Sequence, residues 1–392
     1  MTTQRVLHLC LRLPAQVRGG RDLRLREQLA VMAAVGPTGV FALTGTGAVI
    51  DERLQLWQAG TDETVARPMA AQELAPVIAA GSSPFAVRFS SRTADELRET
   101  IGQFSPDVVI ICGLELATYI TVVREAGVER IVFDLDESSL RTYPSIAAIE
   151  SNRGRAVFIR HVATAAQRAE AEAVAQVDEV WLDSEIECAH FRAAYPNAPL
   201  PRLVPNTLDV ESIEYVPGDD PRRARQTLIY PASFGYEPNL DAARFLVNDL
   251  LPLLPDAHLQ FVGSGLPDWM RTLDDPHVST TGPVRDMAPY LVRAAAMPVP
   301  LRAGGGTRLK ALEALAAGLP IVSTTFGVEG LGMADTGNYL HAETAAEFAD
   351  ALTRLRNDAA LARSLSNAGR EHVAQRFSRR ALIDALRPTA VG

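Results

Sequence analysis

The sequence predicts an α/β protein made of two doubly wound, Rossmann-like domains that face each other across a cleft. Apolar runs of strand length alternate with helical patterns, as parallel βαβ units do. The alternation restarts after a polar, proline-bearing segment around Val216 to Arg225, and the 392-residue chain is long enough for two hydrophobic cores.

In the first half the strand-like runs are Val6 to Leu11, Val40 to Leu43, Val108 to Cys112, Ile131 to Asp134 and Val180 to Asp183. In the second they are Leu228 to Tyr230, Leu259 to Val262, Val278 to Thr280, Met297 to Leu301 and Ile321 to Ser323. A linker is expected near Pro205 to Asp220, which gives domains at residues 1–209 and 210–377. The segment Leu361 to Leu386 has a helical pattern, with Leu361, Leu365 and Ala368 on one face. A terminal helix at 378–392 can return to the first domain.

Composition narrows the function. Apolar residues make up 47% and charged residues 22%, and no apolar run approaches the roughly 20 residues that a membrane helix needs. Cys10, Cys112 and Cys188 are widely spaced and form no Cys-x-x-Cys pair, so a cytoplasmic protein without disulfides or structural zinc is expected. The net charge of -9 argues against nucleic acid as a partner. Arg12, Arg18, Arg21, Arg24 and Arg26 form a local exception that suits an anionic acceptor or peripheral contact with the inner face of a membrane.

The richest motif runs from Gly304 through Gly305, Gly306, Thr307, Arg308, Leu309 and Lys310 to Glu313 and Pro320. A glycine triplet feeds a helix, and Thr307 is the expected cap of its first turn. The freed N–H groups there attract anions. Arg308 and Lys310 would then lie in the first turn, where the helix dipole disfavours cations; a bound polyanion reverses that penalty. Strand-like runs on both sides place the loop at the carboxyl edge of a parallel sheet, where nucleotide phosphates bind. The alternative for Lys310 is an i,i+3 pair with Glu313 on a solvated face.

Other patterns carry less. Asp134-Leu135-Asp136 matches an Asp-x-Asp metal signature, yet three-residue acidic patterns arise by chance and no metal site is assigned. The seven histidines lack ligand spacing. No Gly-x-Ser-x-Gly elbow, phosphate-loop ending or Gly-x-Gly-x-x-Gly turn is present. Gly19-Gly20 is either a place of close backbone approach to ligand or a tight turn with positive φ.

Read in order, Pro238-Asn239, Phe261-Val262-Gly263-Ser264-Gly265, Thr281-Gly282-Pro283-Val284-Arg285-Asp286, Pro300-Leu301 with the glycine triplet, Glu313 to Val322, and Gly327-Val328-Glu329-Gly330 resemble the nucleotide-binding domain of GT-B glycosyltransferases. The resemblance is to their large retaining family, marked by two glutamates with seven residues between them, and covers Thr227 to Leu331. Val204-Pro205-Asn206 and Gly19-Gly20 extend it loosely into the first half.

The resemblance implies that Glu313, as the second glutamate, bonds the ribose hydroxyls of the nucleotide. The first glutamate is replaced by Gly305, which leaves donor-sugar recognition to backbone N–H groups of Gly304 to Thr307 and to side chains that the sequence does not identify. Many members carry cations after the domain's first strand; Ala232 to Asn239 contains none, so Arg308 and Lys310 are left to hold the diphosphate. Asp136 is the nearest match to a histidine that touches the donor sugar in the family, so it is expected to contact the sugar or the acceptor at the catalytic centre, with helix capping or loop structure as its other reading. Gly263 belongs to a loop that shapes the base pocket.

The implied activity is transfer of a sugar from a UDP- or GDP-sugar donor to a hydroxyl acceptor such as a glycan, a lipid-linked sugar or a small molecule. The resemblance further implies retention at the anomeric carbon, with no cofactor and no metal. A nucleotide-sugar epimerase or phosphorylase, or an inactive nucleotide-sugar-binding subunit, are the alternatives.

Overall fold

The computed structural model describes residues 4–13, 19–44, 51–60, 71–80 and 83–390. These residues divide into two compact units. The first contains those up to 147, 152–207 and those from 382 onward; the second contains 148–151 and 208–381.

Unit one begins with β1 (Val6–Arg12), α1 (Gly20–Val35), β2 (Thr38–Thr44), β3 (Leu54–Gln58), α2 (Ala71–Ala79), α3 (Ser91–Phe104) and β4 (Val108–Cys112). It continues with α4 (Ile120–Glu125), β5 (Arg130–Asp136), α5 (Ser139–Ile149), α6 (Arg153–Val174), β6 (Glu179–Leu182), α7 (Glu185–Ala194) and β7 (Pro201–Leu203). The strands form a parallel sheet in the order β3-β2-β1-β4-β5-β6-β7, so the strand order reverses between β1 and β4.

Strand alternation sends neighbouring residues to opposite faces. Val109, Ile111, Ile131 and Phe133 face one core together with Leu97, Leu116 and Phe191. Val108, Ile110, Val132 and Trp181 face another, and that face is closed by Leu382 and Leu386 of a helix late in the chain.

Unit two contains β8 (Ala224–Pro231), α8 (Glu237–Phe245), β9 (His258–Val262), α9 (Asp268–Arg271), β10 (Val278–Thr280), α10 (Ala288–Arg293) and β11 (Ala294–Val299). After these come α11 (Leu309–Ala316), β12 (Ile321–Ser323), β13 (Leu340–His341), α12 (Ala345–Asn357) and α13 (Ala359–Arg376), and the chain then enters α14 (Arg379–Ala390), which belongs to the first unit from Leu382 onward. Its parallel sheet has the order β10-β9-β8-β11-β12-β13, with the reversal between β8 and β11. Tyr230, Phe234 and Phe261 pack edge-on or tilted at its centre.

Two expectations need correction. The terminal helical run is not continuous: it breaks at Phe377 and Ser378, where Ser378 forms a β-bridge with Leu208, and resumes as α14. The strands β3, β7 and β13 lie at or next to the sheet edges and were not among the expected runs. No helix among the described residues is long and apolar enough to cross a membrane.

Candidate functional site

The carboxyl edge of the second sheet gathers the turns that follow β8, β9, β11 and β12. The turn after β8 is fixed on its neighbour by hydrogen bonds from Ala232 N to Val262 O at 2.9 Å and from Phe234 N to Ser264 O at 2.8 Å. Gly263 has φ +145, and a Cβ there would lie 1.8 Å from Ala232 O. Only glycine lets the two turns lie this close. Gly263→Ala is therefore expected to lower stability by about 2–4 kcal/mol, measured by urea denaturation. Gly304→Ala should cost less, because the nearest atom, 2.9 Å from its added Cβ, is the movable hydroxyl end of Tyr236; a Gly263→Ala loss no larger than that of Gly304→Ala would contradict the packing described.

The glycine triplet lies in the loop between β11 and α11, with Gly304 at φ +115 and Gly306 at φ +69. These left-handed residues carry the loop past Thr307, so the helix begins at Leu309 and not after a Thr307 cap. Arg308 occupies the N-cap position, and no side chain caps the helix there. Its guanidinium turns back on the loop: Nη1 donates to Gly305 O at 2.7 Å and to Gly306 O, and the group stacks 4.7 Å over the Phe326 ring. Arg308 is buried and ties the glycine loop to the turn after β12.

Lys310 points another way. Nζ donates to Asn239 Oδ1 at 2.7 Å and to the Tyr230 hydroxyl at 3.2 Å, and lies 4.3 Å from the centre of the Tyr230 ring. The expected alternative, a pair with Glu313 on a solvated face, is not the contact these atoms make. Burial, followed by the positive charge of Arg308, pushes Lys310 down to about 7, against the opposing pull of Glu313. Glu313 is partly buried one turn along the same helix.

The first unit holds Gly20 and Asp136. Gly19 caps α1 with an extended backbone, φ -176, and a Cβ there would meet nothing within 4 Å. The Gly19-Gly20 turn therefore needs no positive φ, which corrects that reading. Asp136 has φ +65 at the end of β5; its Oδ1 accepts from Asn206 Nδ2 at 2.8 Å and lies 3.7 Å from Arg24 Nε. The turn that follows is held by other carboxylates: Glu170 accepts from Ser138 Oγ at 2.5 Å and Ser139 N at 2.7 Å, and Glu187 accepts from Ser138 N at 3.1 Å.

Asp134, the other acid of the Asp-x-Asp triplet, receives Arg24 Nη2 at 2.6 Å, Arg24 Nε at 3.0 Å and Gln28 Nε2 at 2.8 Å. The N-terminal arginines are thus not one surface. Arg24 is buried, Arg12 pairs with Asp22 at 2.5 Å, Arg21 pairs with Glu115, and Arg18 lies outside the described residues. Among the described residues no group of histidine, cysteine or carboxylate side chains is arranged to hold a metal ion.

Asn239 and Tyr230 are the residues to which the sequence assigned no role. Asn239 appeared there only within the Pro238-Asn239 step, and the signal for a partner of Lys310 was electrostatic, a lysine where the helix dipole opposes it, which requires a compensating group somewhere in the fold.

Residues 225–358 match the family described as glycosyl transferases group 1. The whole chain shares its fold with a sucrose-phosphate synthase from Thermosynechococcus elongatus, at 17% identity and TM-score 0.75, covering 98% of each chain. Anabaena HepE in complex with UDP-glucose matches at 12% identity and TM-score 0.67, covering 98% of this chain and 99% of that one. WaaG, a glycosyltransferase involved in lipopolysaccharide biosynthesis, matches at 15% identity and TM-score 0.65, covering 98% and 100%. No curated protein sequence matches significantly. The fold is the GT-B fold.

Proposed function

We propose that this chain, whose residues 225–358 carry the group 1 glycosyltransferase domain, transfers a sugar from a nucleoside diphosphate donor to a hydroxyl acceptor. Lys310 is the observation that carries the reading. Its ammonium is partly buried beside a glycine loop, and its hydrogen-bond partners there are an amide oxygen and a hydroxyl. Neutral partners leave its charge available to a dianion. Because the Anabaena relative is described in complex with UDP-glucose, a UDP-hexose is the first donor to test.

In this reading the bond from the anomeric carbon to the β-phosphate oxygen breaks, and its electron pair stays on the diphosphate. The acceptor oxygen bonds the anomeric carbon on the same face and passes its proton to the departing diphosphate, which gives retention without a carboxylate base or a metal ion. Lys310 stabilises the charge that grows on the phosphate oxygens, as preorganised cations do. Arg308 keeps the loop amides of Gly304, Gly305, Gly306 and Thr307 in place for the donor sugar and phosphate. Glu313 accepts from the ribose hydroxyls, and the Gly263 loop borders the base. The backbone at Gly20 is assigned the close approach to acceptor and donor phosphate, while the Arg24 and Asn206 contacts of Asp136 favour a supporting part for that carboxylate.

Thermal shift against UDP-, GDP- and ADP-sugars tests the assignment, since ligand at 100 times its dissociation constant adds about 2.7 kcal/mol of stability. Release of nucleoside diphosphate with free or transferred sugar should accompany the shift. Glu313→Ala is expected to weaken nucleotide binding by about 10- to 100-fold, the worth of charge-assisted bonds to vicinal hydroxyls, as measured by calorimetry. Absence of both binding and release with all three donor classes would refute the proposal.

A further inference from the structure

We propose that Asn239 is a positioning residue: its amide oxygen, with the Tyr230 hydroxyl, fixes the Lys310 ammonium where the donor diphosphate binds, in place of the cation that the turn between β8 and α8 lacks. The inference rests on the donor-binding reading above and names how that site holds its charge.

Two elements far apart in sequence build the contact. Asn239 stands 71 positions before Lys310 and Tyr230 stands 80 before it. The Asn239 amide is held at both ends: Nδ2 donates to Ser233 O at 2.8 Å, which leaves Oδ1 to receive Lys310 Nζ at 2.7 Å. Those two bonds fix which way the amide points. The Tyr230 hydroxyl donates to the same Oδ1 at 3.3 Å, and Tyr230 is fully buried. Asn239 is itself buried, at 8% exposure, so this geometry is set before any ligand arrives.

The choice of an amide matters. A carboxylate at this position would bind the ammonium more tightly and cancel its charge; an amide orients it and leaves the charge for phosphate. The charged and titratable neighbours agree. On the lysine's own segment are Arg308, which opposes its charge, and Glu313, which favours it. From β8 comes Tyr230, whose phenol is pushed up by burial and so stays neutral. From α8 comes Asp241, which is engaged by Arg302 at 2.5 and 2.9 Å. With Lys310 brought down to about 7, diphosphate binding in the parent should weaken as pH rises above that value, because the ammonium loses its proton.

Calorimetric titration of the full chain with UDP and GDP, with UMP and GMP as controls, over pH 6 to 9 tests the proposal. Asn239→Asp should weaken diphosphate binding at pH 6.5 by about tenfold or more while changing monophosphate binding less than twofold. The same substitution should move the pH midpoint of diphosphate binding upward, since a carboxylate favours the charged lysine. A merely structural Asn239 would weaken diphosphate and monophosphate alike; that result, or an unmoved midpoint, overturns the positioning role. A parent that binds none of the four nucleotides overturns the donor reading beneath it.

Discussion

Lys310→Met should lower turnover by about 10²- to 10³-fold, the usual loss when one preorganised electrostatic partner of a developing charge is removed. On the proposed donor-binding reading the loss should fall mainly on kcat, because the charge assigned to Lys310 is larger in the transition state than in the bound donor. The fold should survive. Burial and Arg308 hold the lysine near 7, far below its ordinary 10.5, so the folded chain carries a cost for the ammonium. Between about pH 7 and 10.5 the unfolded chain binds the extra proton, and the lysine's contribution to stability rises with pH in that window. Below it the cost is fully present. Methionine removes the cost, so the gain in Tm relative to the parent should be larger at pH 6 than at pH 9. Steady-state release of nucleoside diphosphate and thermal melts at the two pH values check both halves. Turnover within threefold of the parent would show that Lys310 does not meet the leaving group.

The largest loss of stability is expected for Arg24→Met. Burial disfavours the Arg24 charge, but the Asp134 and Asp136 carboxylates outweigh it and hold the guanidinium above its ordinary range. Arg24 also donates to Val204 O at 2.8 Å and Asn206 Oδ1 at 2.9 Å, so one side chain joins α1, β5 and the chain leaving β7. Its removal strands Asp134, 4% exposed, as a buried carboxylate with only Gln28 among the partners described above. Breaking a buried pair from one side costs about 3–5 kcal/mol, whereas replacing both partners with apolar groups is often near neutral. Urea denaturation followed by Trp57 and Trp181 fluorescence in a Trp269→Phe background should record that loss, and Arg24→Met with Asp134→Leu should recover much of it. Additive losses in the double variant would mean that the two groups are not a coupled pair.

These two residues also mark what could be read along the chain and what could not. Strands central in the two sheets, such as β4 and β11, declare themselves because both faces are covered and every position is apolar. The edge strand β7 is only Pro201–Leu203, with Leu203 exposed and a proline that cannot donate to a ladder, and β13 is two residues long. Neither leaves a periodic trace. The glycine-rich loop was legible from its sequence, but its length was not: with Gly306 at positive φ, the cap falls at Arg308, one residue beyond the expected Thr307. Lys310 showed as a charge in an unfavourable place, while its partners depend on how β8, α8 and α11 meet. Arg24 was one arginine among five, and its burial followed only once β5 brought Asp134 beside α1.

Leu382 and Leu386 have an implication for how the polypeptide matures in the cell. They close one apolar face of the first unit, alongside Val108, Ile110 and Trp181, yet a ribosome makes them only after the entire second unit. Until translation passes α14 that face stays wet, so the first half can collapse early but reaches its full resistance to unfolding only when that helix has docked.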